Sequence, residues 1–173
     1  MNKFIAIISL TLLSQFVNAQ RPAWYTAKFK ALKLDLQYSL ATFAKPSYQQ
    51  ADFNGDGVKD VAALIIQKRT KKKGILLIEG NSDRYFVFGA GTKVGKPNFD
   101  ESDRLDWMDR WKVDKAMVAY ETTFDKDGDI LGSAKVKTPY GGLSIWQSED
   151  GSPLAGGLIY WTGKKYACIH QCE

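Results

Sequence analysis

The stretch Asp52-Phe-Asn-Gly-Asp-Gly-Val-Lys-Asp60, followed at once by Val61-Ala-Ala-Leu-Ile-Ile66, decides how the rest of the chain is read. A hard cation such as calcium needs several oxygens at about 2.3–2.6 Å, and a short loop supplies them from carboxylates or amides at alternate positions plus one backbone carbonyl. Counting from Asp52, the oxygen-bearing residues Asp52, Asn54, Asp56 and Asp60 stand at positions one, three, five and nine. Val58 at position seven offers its carbonyl, and Gly57 at position six permits the sharp turn. Position twelve, where an EF-hand carries its bidentate acid, is Ala63. The apolar, partly β-branched run after the loop predicts a buried strand rather than an exit helix. The competing reading of 52–60 is a polar hairpin turn with no ion, but turn chemistry alone does not call for four oxygen side chains in this register.

The loop and its strand resemble the calcium hairpins of FG-GAP and VCBS repeat proteins, the integrin-propeller type, in which a D-x-N-x-D-G-x-x-D loop feeds straight into a strand. The chain also resembles small secreted bacterial domains that carry one such hairpin and end in a G-L-I-Y-W-x-G-K-K-Y segment, here Gly157-Leu-Ile-Tyr-Trp-Thr-Gly-Lys-Lys-Tyr166. The resemblance implies a fold and a Ca2+ ion, not an activity. Thr162 stands where those domains favour an acidic turn residue, and the chain ends Gln171-Cys172-Glu173 where they tend to show glycine and an acid.

At 173 residues the chain is sized for one domain with a continuous core, and 45% hydrophobic and 13% aromatic residues fit a globular protein rather than a disordered one. Residues 1–19 read as a cleavable signal peptide: Lys3, an apolar run from Phe4 to Phe16, then Val17-Asn18-Ala19. The run is shorter than the roughly 20 residues of a membrane span. No cysteine sits at the cut, which argues against a lipoprotein. Cleavage removes one lysine and no acid, so the formal charge falls from +5 to +4. The expected location is the periplasm or the exterior, where calcium modules work with dissociation constants of about 10⁻⁴–10⁻³ M. Residues 20–173 then form a single domain.

In chain order, Tyr25, Phe29, Leu32, Leu36, Leu40 and Phe43 recur at helical spacing, predicting an N-terminal helix over 20–43. Leu34, Leu36, Tyr38 and Leu40 also alternate, leaving a strand open for the second half. Strands are predicted over 61–67, 75–79 and 85–88, with an exposed basic tip of Lys68, Arg69, Lys71, Lys72 and Lys73 between the first two. The glycine-rich segment 89–97 lacks a phosphate-loop ending and reads as a flexible loop. Residues 100–114 mix acids with Trp107 and Trp111, which would share one face of a short helix as a lid on the sheet or as a partner-binding surface. Strands over 115–123, 133–137, 142–146, 157–161 and 165–169 complete a meander. The acidic turn Asp125–Asp129 places Ser133 at position nine, a poor ligand register for a second ion. The fold expectation is α+β, mainly β: an antiparallel meander with an N-terminal helix and a calcium-loop hairpin.

His170 is the sole histidine, between Cys168 and Cys172. Cα atoms four residues apart on a strand lie about 13 Å from each other, beyond the roughly 7 Å a disulfide spans, so a Cys168–Cys172 bridge requires the tail to turn. Bridge and free thiols both stay open. No nucleophile elbow, metalloprotease helix or dinucleotide fingerprint is present, so no hydrolase or other enzyme is indicated. The expected function is an exported, non-enzymatic calcium-binding domain in which the ion stabilises a hairpin. The alternative is a periplasmic protein-binding module of inhibitor or immunity type, whose partner is an envelope or secreted protein met by the basic tip or the two tryptophans. With no aromatic residue among the tip cations to stack on a base, nucleic acid is not an expected partner.

Overall fold

The computed structural model describes residues 21–95 and 102–172, without the side chain of Cys172. The expected signal peptide, the end of the glycine-rich segment, Asp100 and Glu101 lie outside the described residues. The elements are α1 (Ala23–Ala31), a 3-10 turn (Leu34–Leu36), β1 (Tyr38–Leu40), β2 (Tyr48–Ala51), β3 (Asp60–Gln67), β4 (Lys73–Ile78), β5 (Tyr85–Gly89), β6 (Arg110–Asp114), β7 (Val118–Phe124), β8 (Ile130–Lys137), β9 (Gly142–Glu149), β10 (Ser152–Trp161) and β11 (Tyr166–Cys172). The fold is mainly β, built of antiparallel sheets with one short N-terminal helix.

β3, β4 and β5 form the first sheet, and β1 and β2 pair with successive parts of the same edge of β3. The second sheet has the order β11-β10-β9-β6, and β7 and β8 form a separate ribbon. Side chains of a strand alternate between faces, which explains why β3 and β4 are apolar without interruption. Val61, Ala63, Ile65, Leu76 and Ile78 pack with Tyr25, Phe29 and Leu34 of the helical segment. Ala62, Leu64, Ile75 and Leu77 pack instead with Trp111, Leu143, Ile145 and Ile159 of the second sheet. Ala119 and Val136 of the ribbon meet Leu158 and Ile169 on the far face of that sheet. The layers thus run helix, sheet, sheet, ribbon.

The N-terminal helix is shorter than the spacing predicted. Lys33 turns into the left-handed region at φ 56°, the chain passes through the 3-10 turn, and Tyr38–Leu40 joins β3 as the alternating reading allowed. Leu36, on the proposed stripe, is 70% exposed. Between Ala41 and Ser47, both still bonded to Leu64 of β3, the chain leaves the first sheet to reach the second: Lys45 bridges Arg110, and the Trp111 indole donates to the Pro46 carbonyl at 2.7 Å. Residues 110–114 are a strand, not a helix, because Arg110–Asp114 finds a complete partner in Gly142–Trp146 of β9. The carboxylate of Asp109 fastens this strand's start by accepting from the Ser148 hydroxyl and N–H, which hold its pKa below the usual range.

Tyr25 is fully buried, and its hydroxyl donates to the Leu76 carbonyl at 3.1 Å. A Tyr25→Phe variant is expected to lose about 1 kcal/mol of stability, read as a lower urea midpoint at an unchanged slope.

Candidate functional site

Residues 52–59 close the hairpin between β2 and β3, whose last pair sets Ala51 against Asp60. The loop wraps around its own side chains. Asp52 Oδ1 accepts from the N–H groups of Gly55 and Asp56, and Oδ2 from Gly57 at 2.9 Å. Asn54 accepts from Asp56 N–H at 3.0 Å, and Asp56 from Val58 N–H at 2.8 Å. Gly57 sits at φ 86°, as its place at the sharp turn predicts. An ionised carboxylate has about four lone-pair sites, so these bonds leave each side chain capacity to coordinate.

Asp60, at position nine, differs from the others: it is 0% exposed. Its Oδ2 accepts from Phe53 N–H at 3.1 Å and its Oδ1 from Gly80 N–H at 3.0 Å. Its pKa is raised to about 6, chiefly by burial and further by the charges of Asp56 and Glu79, against the pull of the two N–H groups. No lysine, arginine or histidine pairs with Asp60 among the described residues.

The turn after β4 closes over this loop. Gly80 packs so tightly on Val58 and Lys59 that a side chain there would run into the Lys59 carbonyl. From the helix, Lys28 Nζ donates to the carbonyls of Glu79, Gly80 and Ser82 at 2.9, 3.1 and 2.6 Å, so one ammonium pins the whole turn. Asn54, Asp56, Glu79, Arg84 and Trp161 line a shared open cleft of about 430 Å³. Sequence reading missed Glu79, whose signal was the hairpin register: Val61 opposite Ile78 puts Asp60 next in line with Glu79.

No group of three or more His, Cys, Asp or Glu side chains is gathered as a ready metal centre among the described residues. Asp52, Asp56 and Asp60 are three such side chains, so the loop does not hold them as a finished centre, and an ion here would also draw on the Asn54 amide and the Val58 carbonyl. Such a set fits a hard cation, which accepts neutral oxygens alongside charged ones.

The basic tip is less free than five adjacent cations suggested. Lys68, Arg69 and Lys71 are exposed, but Lys72 pairs with Asp103, and Lys73 Nζ lies 5.0 Å from the centroid of the Phe43 ring. Trp107 is half-buried against the core, and Trp111 is 2% exposed, so Trp111 offers no surface to a partner. It became part of the core because β6 turns it inward between the sheets.

Asp125 Oδ1 accepts from Asp127 and Asp129 N–H groups, shaping the β7–β8 turn. β11 pairs with β10 through Cys168 opposite Ile159 and Cys172 opposite Ala155, so the backbone makes no turn between the two cysteines. Their bridging involves the Cys172 side chain, which lies outside the description. Among the described residues no helix is long and apolar enough to cross a membrane. No protein-family model, curated protein or solved structure matches the chain.

Proposed function

We propose that the β2–β3 loop binds one calcium ion, held by Asp52, Asn54, Asp56, Asp60 and the Val58 carbonyl. The protein is then an exported, non-enzymatic domain, periplasmic or secreted, in which the ion stabilises its hairpin. The observation that carries this reading is Asp60, a fully buried carboxylate at the ninth position of a ligand register with no basic side chain paired to it among the described residues. Buried charges are ordinarily paired or ligated to metal, since desolvating one alone is costly. The bound ion supplies the missing positive charge, and the chain's residues supply a loop already bent around Asp52. Titration calorimetry of the chelated protein with calcium is expected to show one saturable site with a dissociation constant of about 10⁻⁴–10⁻³ M. Absence of saturable heat in that range would overturn the reading.

A second reading, a protein-binding module, is favoured by the ribbon, where Met117, Tyr120, Ile130 and Leu131 are 59–69% exposed. Exposed Lys68, Arg69 and Lys71 add a small cationic patch. Under this reading, reversing those three charges releases a partner captured from envelope extract; retention of every captured protein removes the tip as the contact.

A further inference from the structure

We infer that Glu79 is a further ligand of the cation held by the β2–β3 loop and that Arg84 is its competitor, an inference that rests on the calcium reading above. Glu79 lies one residue beyond β4, on the face that carries Ile75 and Leu77 toward the second sheet. Its side chain is 2% exposed, a depth at which carboxylates are ordinarily paired or hydrogen-bonded. One oxygen, Oε2, accepts from the Ser82 hydroxyl at 2.5 Å. The other, Oε1, has no hydrogen-bond partner among the described residues. Arg84 Nη2 stands 3.7 Å from it, too far for a hydrogen bond, while the guanidinium lies 5.4 Å from the centroids of both the Phe86 and Trp161 rings.

Oε1 has a long ion pair to Arg84 and lies beside the oxygens of the loop. Glu79 shares its cleft with Asn54 and Asp56, and Gly80, the next residue, donates its N–H to Asp60. The β3–β4 register brings Asp60 and Glu79 side by side across the sheet. Like charges close together on one face destabilise a sheet, and the Arg84 guanidinium offsets this pair only from 3.7 Å, without a hydrogen bond. The chain lacks the position-twelve acid of an EF-hand, and Glu79 delivers a carboxylate from a neighbouring hairpin instead. The three Lys28 bonds to the Glu79, Gly80 and Ser82 carbonyls fix where it is delivered.

The test compares wild type, Glu79→Gln and Arg84→Gln by calorimetric titration with calcium chloride, and by terbium emission excited through the protein's tryptophans. Glu79→Gln keeps the shape and the Ser82 contact but removes the charge; calcium affinity is expected to fall about tenfold or more. Arg84→Gln removes a competing cation, so affinity is expected to rise severalfold. Opposite signs in the two variants separate charge at the site from a merely structural role. Wild-type affinity in Glu79→Gln, or weaker binding in Arg84→Gln, would overturn the inference and leave the loop site standing. A wild-type protein that binds neither calcium nor terbium would overturn the loop reading itself.

Discussion

Adding calcium to the chelated protein is expected to raise its melting temperature by about 5–10 °C. The figure follows from mass action: an ion bound only by the folded form contributes about 2.7 kcal/mol at a hundredfold excess over its dissociation constant. For a domain of this size each kcal/mol moves the midpoint by about 2–4 °C. An Asp56→Ala variant makes the experiment specific. Asp56 is exposed, and its side chain accepts a bond within the loop from the neighbouring Val58 N–H, so the calcium-free variant should melt within a few degrees of calcium-free wild type. It should gain nothing from the ion. Identical scanning-calorimetry curves for wild type with calcium and with EDTA would count against an ion that supports the fold.

Trp111→Ala is expected to cost about 3–5 kcal/mol, the range for truncating a buried aromatic residue. Trp111 is held on both sides: its ring sits between the sheets at 2% exposure, and its indole N–H reaches the Pro46 carbonyl. The Gln49 amide also donates to its backbone carbonyl at 3.2 Å. Trp111→Phe, which fills most of the volume but cannot donate to Pro46, should lose less than half as much. Chemical denaturation of the two variants separates packing from the hydrogen bond. Equal, near-zero losses would mean that Trp111 is not the contact that joins residues 41–47 to the second sheet.

The elements legible in the sequence are those whose local pattern and tertiary environment agree. β3 and β4 read as buried strands because both their faces are covered, one by the helix and one by the second sheet, so Val61–Ile66 and Ile75–Ile78 are apolar throughout. The turns of the meander read correctly because glycine and aspartate mark them irrespective of what packs nearby. Leu36 misled because helical and alternating repeats coincide over Leu32–Leu40, and only the pairing of Tyr38–Leu40 with β3 separates them. Residues 110–114 misled as a helix because their pairing with β9 is not local, whereas the packing of Trp111 on the sheet, against Leu143 and Ile145, is what the lid reading allowed. At the candidate site the loop register was plain, being local. Glu79 was not, because its meaning depends on a residue across the hairpin, and an acid closing an apolar run reads as an ordinary strand boundary.

The excursion of residues 41–47 has a consequence for behaviour at high concentration. A long, unbroken outer strand exposes a row of N–H and C=O groups that can template another molecule, the first step of edge-to-edge aggregation. Here that border is split into a three-residue and a four-residue piece, with the intervening chain drawn away toward the second sheet. Short, interrupted edges of this kind are among the devices by which sheets blunt edge-to-edge pairing.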